Sequence, residues 1–289
     1  MNIAILASGG DGSGMNLFLY HVVKKLKNHN ITLFKSGFCF LCADITCDFD
    51  LSYIKENRND GGIMIKTSRC EQFMTKQGQD KAINTLKRHK IDVVIVMGGN
   101  GTLKGAEILH QNGVKVVFVP CSIDNDVSPS EYSIGFDTAC QTCVEYIQKV
   151  NDTMLSFDRG CVYEVMGRHC DAIAKKVGQL VDADYVYKNT STLKQCVQAL
   201  KKSKKSAPIV VLQENVTDVS QLSKNLESEI SKEVKFCVVG YIQRGGKPSK
   251  KEKAFARLFA TCSADAVNND SSFSMCAVKN NNVTCLNLS

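Results

Sequence analysis

Two carboxylates, Asp124 and Asp126, follow directly on an apolar run at residues 116–119. One carboxylate can take a proton from an alcohol while a neighbour faces a metal ion, so the pair suits proton abstraction beside a cation. The run before them reads as a buried strand of a parallel sheet, and open α/β sheets bind ligands just past their strand ends. If the chain stays extended through Asn125, both side chains point the same way. The competing reading is an acidic turn that Asn125 and Asp126 stabilise. Two glycine-rich turns accompany the pair, Ser8-Gly9-Gly10-Asp11-Gly12-Ser13-Gly14 and Gly98-Gly99-Asn100-Gly101-Thr102. Glycine lets a backbone approach a ligand, and the helix that follows each turn offers free N–H groups to an anion. Neither turn fits the dinucleotide or P-loop spacing. If they meet at one sheet edge, they can cradle a polyphosphate between them.

Strands alternating with helical patterns must position these residues, which argues an α/β fold with a mainly parallel sheet. Strands are expected at 3–7, 31–34, 93–97, 116–119, 161–165, 209–212 and 236–239, with a short one at 275–278. Helices are expected from the first glycine turn to about residue 27, then at 77–89, 138–150 and 251–266. Residues 39–59 give no regular pattern, and 61–69 read as a short strand and loop ending in a lone arginine, Arg69. A basic linker precedes residue 209, and an asparagine-rich tail runs from 268 to 289.

The chain has 289 residues, 44% of them hydrophobic, enough for one large domain or two lobes. The net charge is +7, carried in part by lysine runs at 201–205 and 250–253 that read as solvated faces and also suit anionic metabolites. No basic stripe interleaved with aromatic residues is present, which argues against nucleic-acid binding. The first residues read as a strand rather than a leader, and no apolar run approaches the ~20 residues of a membrane span. Fourteen cysteines then suit a reducing, cytoplasmic setting as small core residues. Two Cys-x-x-Cys spacings, Cys39–Cys42 and Cys140–Cys143, could supply a zinc site, but the second fits one face of a helix.

Taken together, these stretches resemble the phosphofructokinase family from residue 3 to about 282. The resemblance is carried by both glycine loops, by Ser122-Ile123-Asp124-Asn125-Asp126 and by Ile134-Gly135-Phe136-Asp137-Thr138-Ala139. Glu164-Val165-Met166-Gly167-Arg168 and Gly240-Tyr241-Ile242-Gln243-Arg244-Gly245-Gly246 complete it. It implies two Rossmann-like lobes, mainly parallel sheets flanked by helices, with the active site in the cleft between them. Residues 1–135 would be the nucleotide-binding lobe, with a possible C-terminal return segment. Residues 136–260 would be the sugar-phosphate lobe and 261–289 a short C-terminal segment.

The implied reaction moves the terminal phosphoryl of ATP, with magnesium, to the 1-hydroxyl of fructose 6-phosphate. Asp124 resembles the proton acceptor, with Ser122 close to the transferring group. Arg69 and Arg168 resemble the cations that offset charge on the phosphoryl oxygens. Gly9, Gly10, Arg69, Cys70, Gly99, Asn100, Gly101 and Thr102 would hold the nucleotide. Ser122, Ile123, Asp124, Arg159, Met166, Gly167, Arg168, Glu214, Lys235, Tyr241 and Arg244 would hold the sugar phosphate, some of them from a neighbouring subunit of a homotetramer. Asn100 and Asp126 would face the metal.

Several positions depart from the family pattern. Asn100 stands where the family has a metal-binding Asp, which leaves open a catalytically silent subunit or sugar-phosphate sensor. Gly101 and Cys121 replace the Asp and Lys typical of pyrophosphate users and favour ATP. Tyr241 and Lys235 replace a His and an Arg, so a raised KM for the sugar phosphate is expected. Tyr20, Lys24, Asn151 and Ser203 stand at arginine positions of the bacterial effector site, with Lys205 retained, which argues against tight effector control. The chain ends soon after Asn282, where family members continue with further helix. The NAD and lipid kinases share a similar glycine loop but lack the other motifs.

Overall fold

In the computed structural model, which describes residues 1–289, the apolar runs become strands and the segments between them mostly helices. In chain order come β1 (Asn2–Ser8), α1 (Met15–Lys25), β2 (Asn30–Phe34), α2 (Phe38–Ala43), β3 (Thr46–Cys47) and α3 (Leu51–Glu56). There follow α4 (Lys76–Arg88), β4 (Val93–Gly98), α5 (Asn100–Gln111), β5 (Lys115–Pro120) and α6 (Phe136–Ser156). Next are β6 (Gly160–Val165), α7 (Ala172–Leu180), β7 (Tyr185–Tyr187), α8 (Leu193–Lys202), β8 (Ile209–Gln213), α9 (Val219–Ile230) and β9 (Val234–Val238). The chain closes with α10 (Lys250–Asn268), β10 (Phe273–Lys279) and β11 (Asn282–Asn287). No helix is long and apolar enough to cross a membrane.

The first of two units comprises Met1–Asp137 and Arg244–Ser289. Its sheet runs β11-β10-β5-β4-β1-β2-β3, with antiparallel pairing only at the two edges. Alternation along β1 separates two cores: Ile3, Ile5 and Ala7 pack with Phe18 and Phe259, while Ala4 and Leu6 pack with Phe38, Leu86 and Leu109. Full burial of a side chain such as Phe259 stabilises by ~1.5–3 kcal/mol. Residues 244–260, which the sequence reading put in the second lobe, belong here to the first unit. Glu252 in the first turn of α10 is fully buried, and its Oε1 accepts from the Tyr132 hydroxyl (3.0 Å) and the Gly135 N–H (2.9 Å).

The second unit, Thr138–Gln243, has a parallel sheet in the order β7-β8-β6-β9. Its core joins Val162, Val210 and Leu212 to Leu200 and Leu226.

Some expectations fail for identifiable reasons. Residues 39–59 hold α2, β3 and α3, elements too short for periodicity to register. No strand forms at 61–69, because the side chain of Asn16 takes its place as partner: Nδ2 donates to the Asp60 carbonyl (3.0 Å) and Oδ1 accepts from Met64 N–H (2.7 Å). The basic linker is the end of α8, which a Thr192–Gln195 capping box starts. The asparagine-rich tail contains β11, because Asn280 and Asn281 both take positive φ (50° and 62°) and make a two-residue hairpin turn.

Candidate active site

In the first unit the chain turns to opposite sides of β1, toward β2 and toward β4, so the sheet reverses its winding between β1 and β4. Ligand crevices form at such switch points, outside the strand ends. Both glycine turns emerge there. Ser8 lies opposite Gly98 in register, and the buried Thr102 hydroxyl donates to the Ser8 carbonyl (2.8 Å), tying the second turn to the first. Thr102 therefore fastens the two turns together with its hydroxyl. A Cβ on Gly98 would come within 2.5 Å of the Ser8 carbonyl, whereas one on Gly101 would meet nothing within 4 Å. Gly101 thus fronts open space at the first turn of α5.

The loop carrying Arg69 is sewn to the first turn. Gly9 N–H donates to the Ser68 carbonyl (3.2 Å), Thr67 Oγ1 to the Gly9 carbonyl (2.9 Å) and Ser8 Oγ to the Ser68 carbonyl (3.1 Å). Arg69 itself is exposed and in no ion pair, and half-buried Cys70 follows it. The Cys70 thiol is pushed up to about 12, first by burial. Arg244, expected with the sugar phosphate, lies against this first turn instead. Its guanidinium donates to the Asp11 carbonyl (3.1 Å) and fills the space a Gly10 side chain would take.

Past β5 the chain does not stay extended. Asn125 adopts φ 54°, held by its own side chain: Oδ1 accepts from Ser133 N–H (2.8 Å) and Nδ2 donates to the Glu131 carbonyl (3.1 Å). Left-handed Asn is tolerated because the short side chain bonds locally. The expectation of two carboxylates side by side on an extended segment is thus overturned. Asp124 is half-buried behind Ile123, which is 1% exposed, whereas Asp126 turns outward. The Asp126 carboxylate accepts from Asn100 Nδ2 (2.9 Å) and Ser122 Oγ (3.3 Å). Ser122 Oγ also accepts from Asp124 N–H (3.3 Å), and its backbone N–H donates to the Ile134 carbonyl (3.0 Å). Cys121 is 2% exposed, and burial holds its thiol well above the usual range.

In the second unit Met166-Gly167-Arg168 follow β6. Gly167 takes φ 147° and Arg168 φ 53°, so both N–H groups turn toward one acceptor, Glu214 Oε1, at 3.0 and 2.6 Å. Glu214, expected on the sugar phosphate, therefore braces this turn with one oxygen. The Arg168 guanidinium is exposed and in no ion pair. Gln243, named in the sequence only within the 240–246 motif and given no role there, is 1% exposed, and its Oε1 accepts from Met166 N–H (3.1 Å) and from the Cys143 thiol (3.0 Å). Its signal was a polar residue at a helical turn ahead of two glycines, which sequence alone leaves ambiguous. Tyr241 stands 83% exposed beyond β9.

Arg159 and Lys235 sit at the other end of the same sheet, where β6 and β9 begin. Both grip Glu233, Arg159 through Nε and Lys235 through Nζ (2.5 Å), and Lys235 followed by Arg159 holds that carboxyl below the usual range. A strand of six residues separates the two groups by ~20 Å.

The family pattern described as phosphofructokinase matches residues 2–267. The chain belongs to the phosphofructokinase family. The ATP-dependent 6-phosphofructokinase of Clostridioides difficile (strain 630) is 33% identical to it, over 99% of this chain and 92% of that one. That of Alkaliphilus metalliredigens (strain QYMF) is 38% identical, over 90% and 82%. Among solved structures, phosphofructokinase from Saccharomyces cerevisiae shares the fold with a TM-score of 0.90 at 23% identity, covering 99% of this chain and 44% of that one. A pyrophosphate-dependent phosphofructokinase from Marinobacter aquaeolei does so at 0.82 and 15%, covering 99% and 81%. Both glycine turns, the 122–126 loop and Met166–Arg168 thus lie inside a phosphofructokinase fold.

Proposed function

We propose that the chain transfers the terminal phosphoryl of ATP to the 1-hydroxyl of fructose 6-phosphate, giving fructose 1,6-bisphosphate. The observation that carries this is the pair of glycine turns tied together at the β1–β4 switch point, with Asp124 on the loop after neighbouring β5. The turns hold the donor phosphates through backbone N–H groups at Gly10, Gly99, Asn100 and Gly101, while Gly9, whose N–H is taken by the Ser68 carbonyl, keeps the first turn in place. Arg69 and Arg168, both exposed and unpaired, offset charge that grows on the phosphoryl oxygens. Asp124 accepts the hydroxyl proton as the oxygen attacks, and Met166, Gly167 and Tyr241 border the sugar phosphate. Open space at Gly101 and uncharged Cys121 suit an adenosine-bearing donor, as do the relatives named ATP-dependent.

Magnesium fits the donor set. Asp126 supplies one carboxylate, Ser122 a hydroxyl and Asn100 an amide oxygen, and magnesium commonly takes one or two carboxylates with phosphates and water for the rest. Bound there with the nucleotide, it would neutralise phosphate charge. The protein's own part is to hold the Asp126 carboxylate in place, which the hydrogen bonds from Ser122 Oγ and Asn100 Nδ2 do.

The two ends of the second sheet support a homo-oligomer. Arg159 and Lys235 can join Glu214, Arg168 and Tyr241 at one sugar phosphate only if they come from another copy, given the ~20 Å between them in a single chain. Edge strand β9 also leaves Phe236 and Val238 exposed for such a contact. A cytoplasmic enzyme of this kind is tested by coupling fructose 1,6-bisphosphate formation to a reporter with ATP or pyrophosphate as donor. Turnover with ATP supports the reading. Turnover with pyrophosphate alone, or sugar-phosphate binding without turnover, overturns it.

A further inference from the structure

All fourteen cysteines are free thiols, and two sheets bring some of them together. In the second unit Cys161 pairs with Lys235 and Cys237 with Tyr163, so the two thiols sit on a diagonal of the β6–β9 ladder. Strand spacing and rise put their Cα atoms about 8 Å apart, beyond the ~7 Å that a disulfide spans. There the neighbouring Cys161 thiol, with Tyr146, brings Cys237 down to about 6.

The C-terminal hairpin differs. Cys276 on β10 and Cys285 on β11 are direct partners in register. The Leu288 N–H donates to the Phe273 carbonyl, which makes 273/288 a hydrogen-bonded pair, and alternation along the ladder makes 276/285 a non-hydrogen-bonded one. Such partners have Cα atoms about 4.5 Å apart with side chains on one face, inside the range a disulfide accepts. That face is covered by α10. Cys276 is fully buried, with its sulfur 3.2 Å from Ser263 Oγ, and Cys285 is exposed. Cys262, half-buried on the same helix, packs against the core cluster that contains Cys276.

We propose that Cys276 and Cys285 form a reversible cross-strand disulfide at the edge of the seven-stranded sheet, with Cys262 as the thiol that exchanges with a small-molecule disulfide. The Cys262 thiolate attacks one sulfur of R–S–S–R, forming Cys262–S–SR and releasing RS⁻. Cys285, its proton lost to solvent, attacks the Cys262 sulfur and expels the second RS⁻. Cys276, deprotonated in turn, attacks the Cys285 sulfur, and Cys262 leaves as thiolate. Two protein thiols are oxidised, one donor disulfide is reduced, and the two RS⁻ take up the two protons. The neighbouring Cys276 and Cys285 thiols hold the Cys262 thiol below its ordinary range, which favours the thiolate that starts the exchange. The product would fasten β11 covalently to the sheet.

The test incubates the full chain with glutathione disulfide, alkylates remaining thiols, and maps peptides by mass spectrometry. The expected result is loss of two alkylatable thiols, a Cys276–Cys285 peptide, and recovery of both thiols with dithiothreitol. Cys262→Ser should reach the same product about tenfold more slowly. Slower hydrogen exchange over residues 282–287 should accompany oxidation in the parent and be absent in Cys285→Ser, a change at an exposed site. Cys276 and Cys285 still alkylating at equilibrium, or Cys262–Cys285 as the end product, would overturn the proposal. Unchanged kinetics in Cys262→Ser would overturn the exchange role.

Discussion

Asn100 changes the electrostatics of the donor site more than its size suggests. Its amide nitrogen donates to the Asp126 carboxylate at 2.9 Å, so a neutral dipole stands where a second carboxylate would repel. Asn100→Asp would set two carboxylates face to face, a geometry that raises the pKa of one unless a cation lies between them. That variant should melt a few degrees lower without magnesium and regain the loss when magnesium is added, while the parent changes little. Melting curves with and without the ion decide it, and a variant indifferent to magnesium would contradict this account. A second expectation concerns the substrate. Lys235 grips Glu233 as a point charge and Tyr241 is exposed, so Lys235→Arg with Tyr241→His should lower the KM for fructose 6-phosphate several-fold. An unchanged KM would count against both residues. The two glycine turns and the acidic loop at 122–126 were legible because their residue types and their place after apolar strands are local features. The bend at Asn125 was not, because its partners Ser133 and Glu131 lie six to eight residues on.

At the scale of elements, buried polar side chains set the loops. Glu252 holds the Gly135 N–H, and neighbouring Ile134 pairs on both sides with the strand end: its N–H donates to the Pro120 carbonyl and its carbonyl accepts from Ser122. Helix α10 is thereby linked to the loop bearing Asp124. Glu252→Ala strands the Gly135 N–H and Tyr132 hydroxyl in a dry site, at roughly 1–3 kcal/mol for each unsatisfied group. Urea unfolding should show the midpoint falling, and Glu252→Gln, which keeps an acceptor oxygen, should recover most of it. Equal losses in the two variants would contradict the hydrogen-bond account. The central strands were readable since each holds a continuous apolar run of four or five residues, 3–7 in β1, 93–97 in β4 and 116–119 in β5. Helices α8 and α9 were missed because their starts rest on the caps Thr192 and Asp218, which resemble ordinary loop residues.

Across the whole molecule, one sheet presents its cations at opposite ends, Arg159 and Lys235 where strands begin and Arg168 where β6 stops. A shared site predicts complementation. Asp124→Ala and Lys235→Ala, each impaired alone, should regain activity when unfolded and refolded together, because a mixed oligomer can assemble sites with both residues intact. Activity equal to the sum of the separate variants would contradict a shared site. In the sequence a shared site enters only through the family resemblance, since no motif of a single chain says which strand ends meet between copies.

The central claim is that Asp124 takes the proton from the fructose 6-phosphate hydroxyl as ATP donates its phosphoryl. The direct measurement is kcat and KM for both substrates in the parent and in Asp124→Ala, with fructose 1,6-bisphosphate followed in a coupled assay. A general base of this kind is worth 10²–10⁴-fold, so kcat should fall by about that factor with KM for ATP nearly unchanged. A variant that turns over within about tenfold of the parent would show that another group accepts the proton.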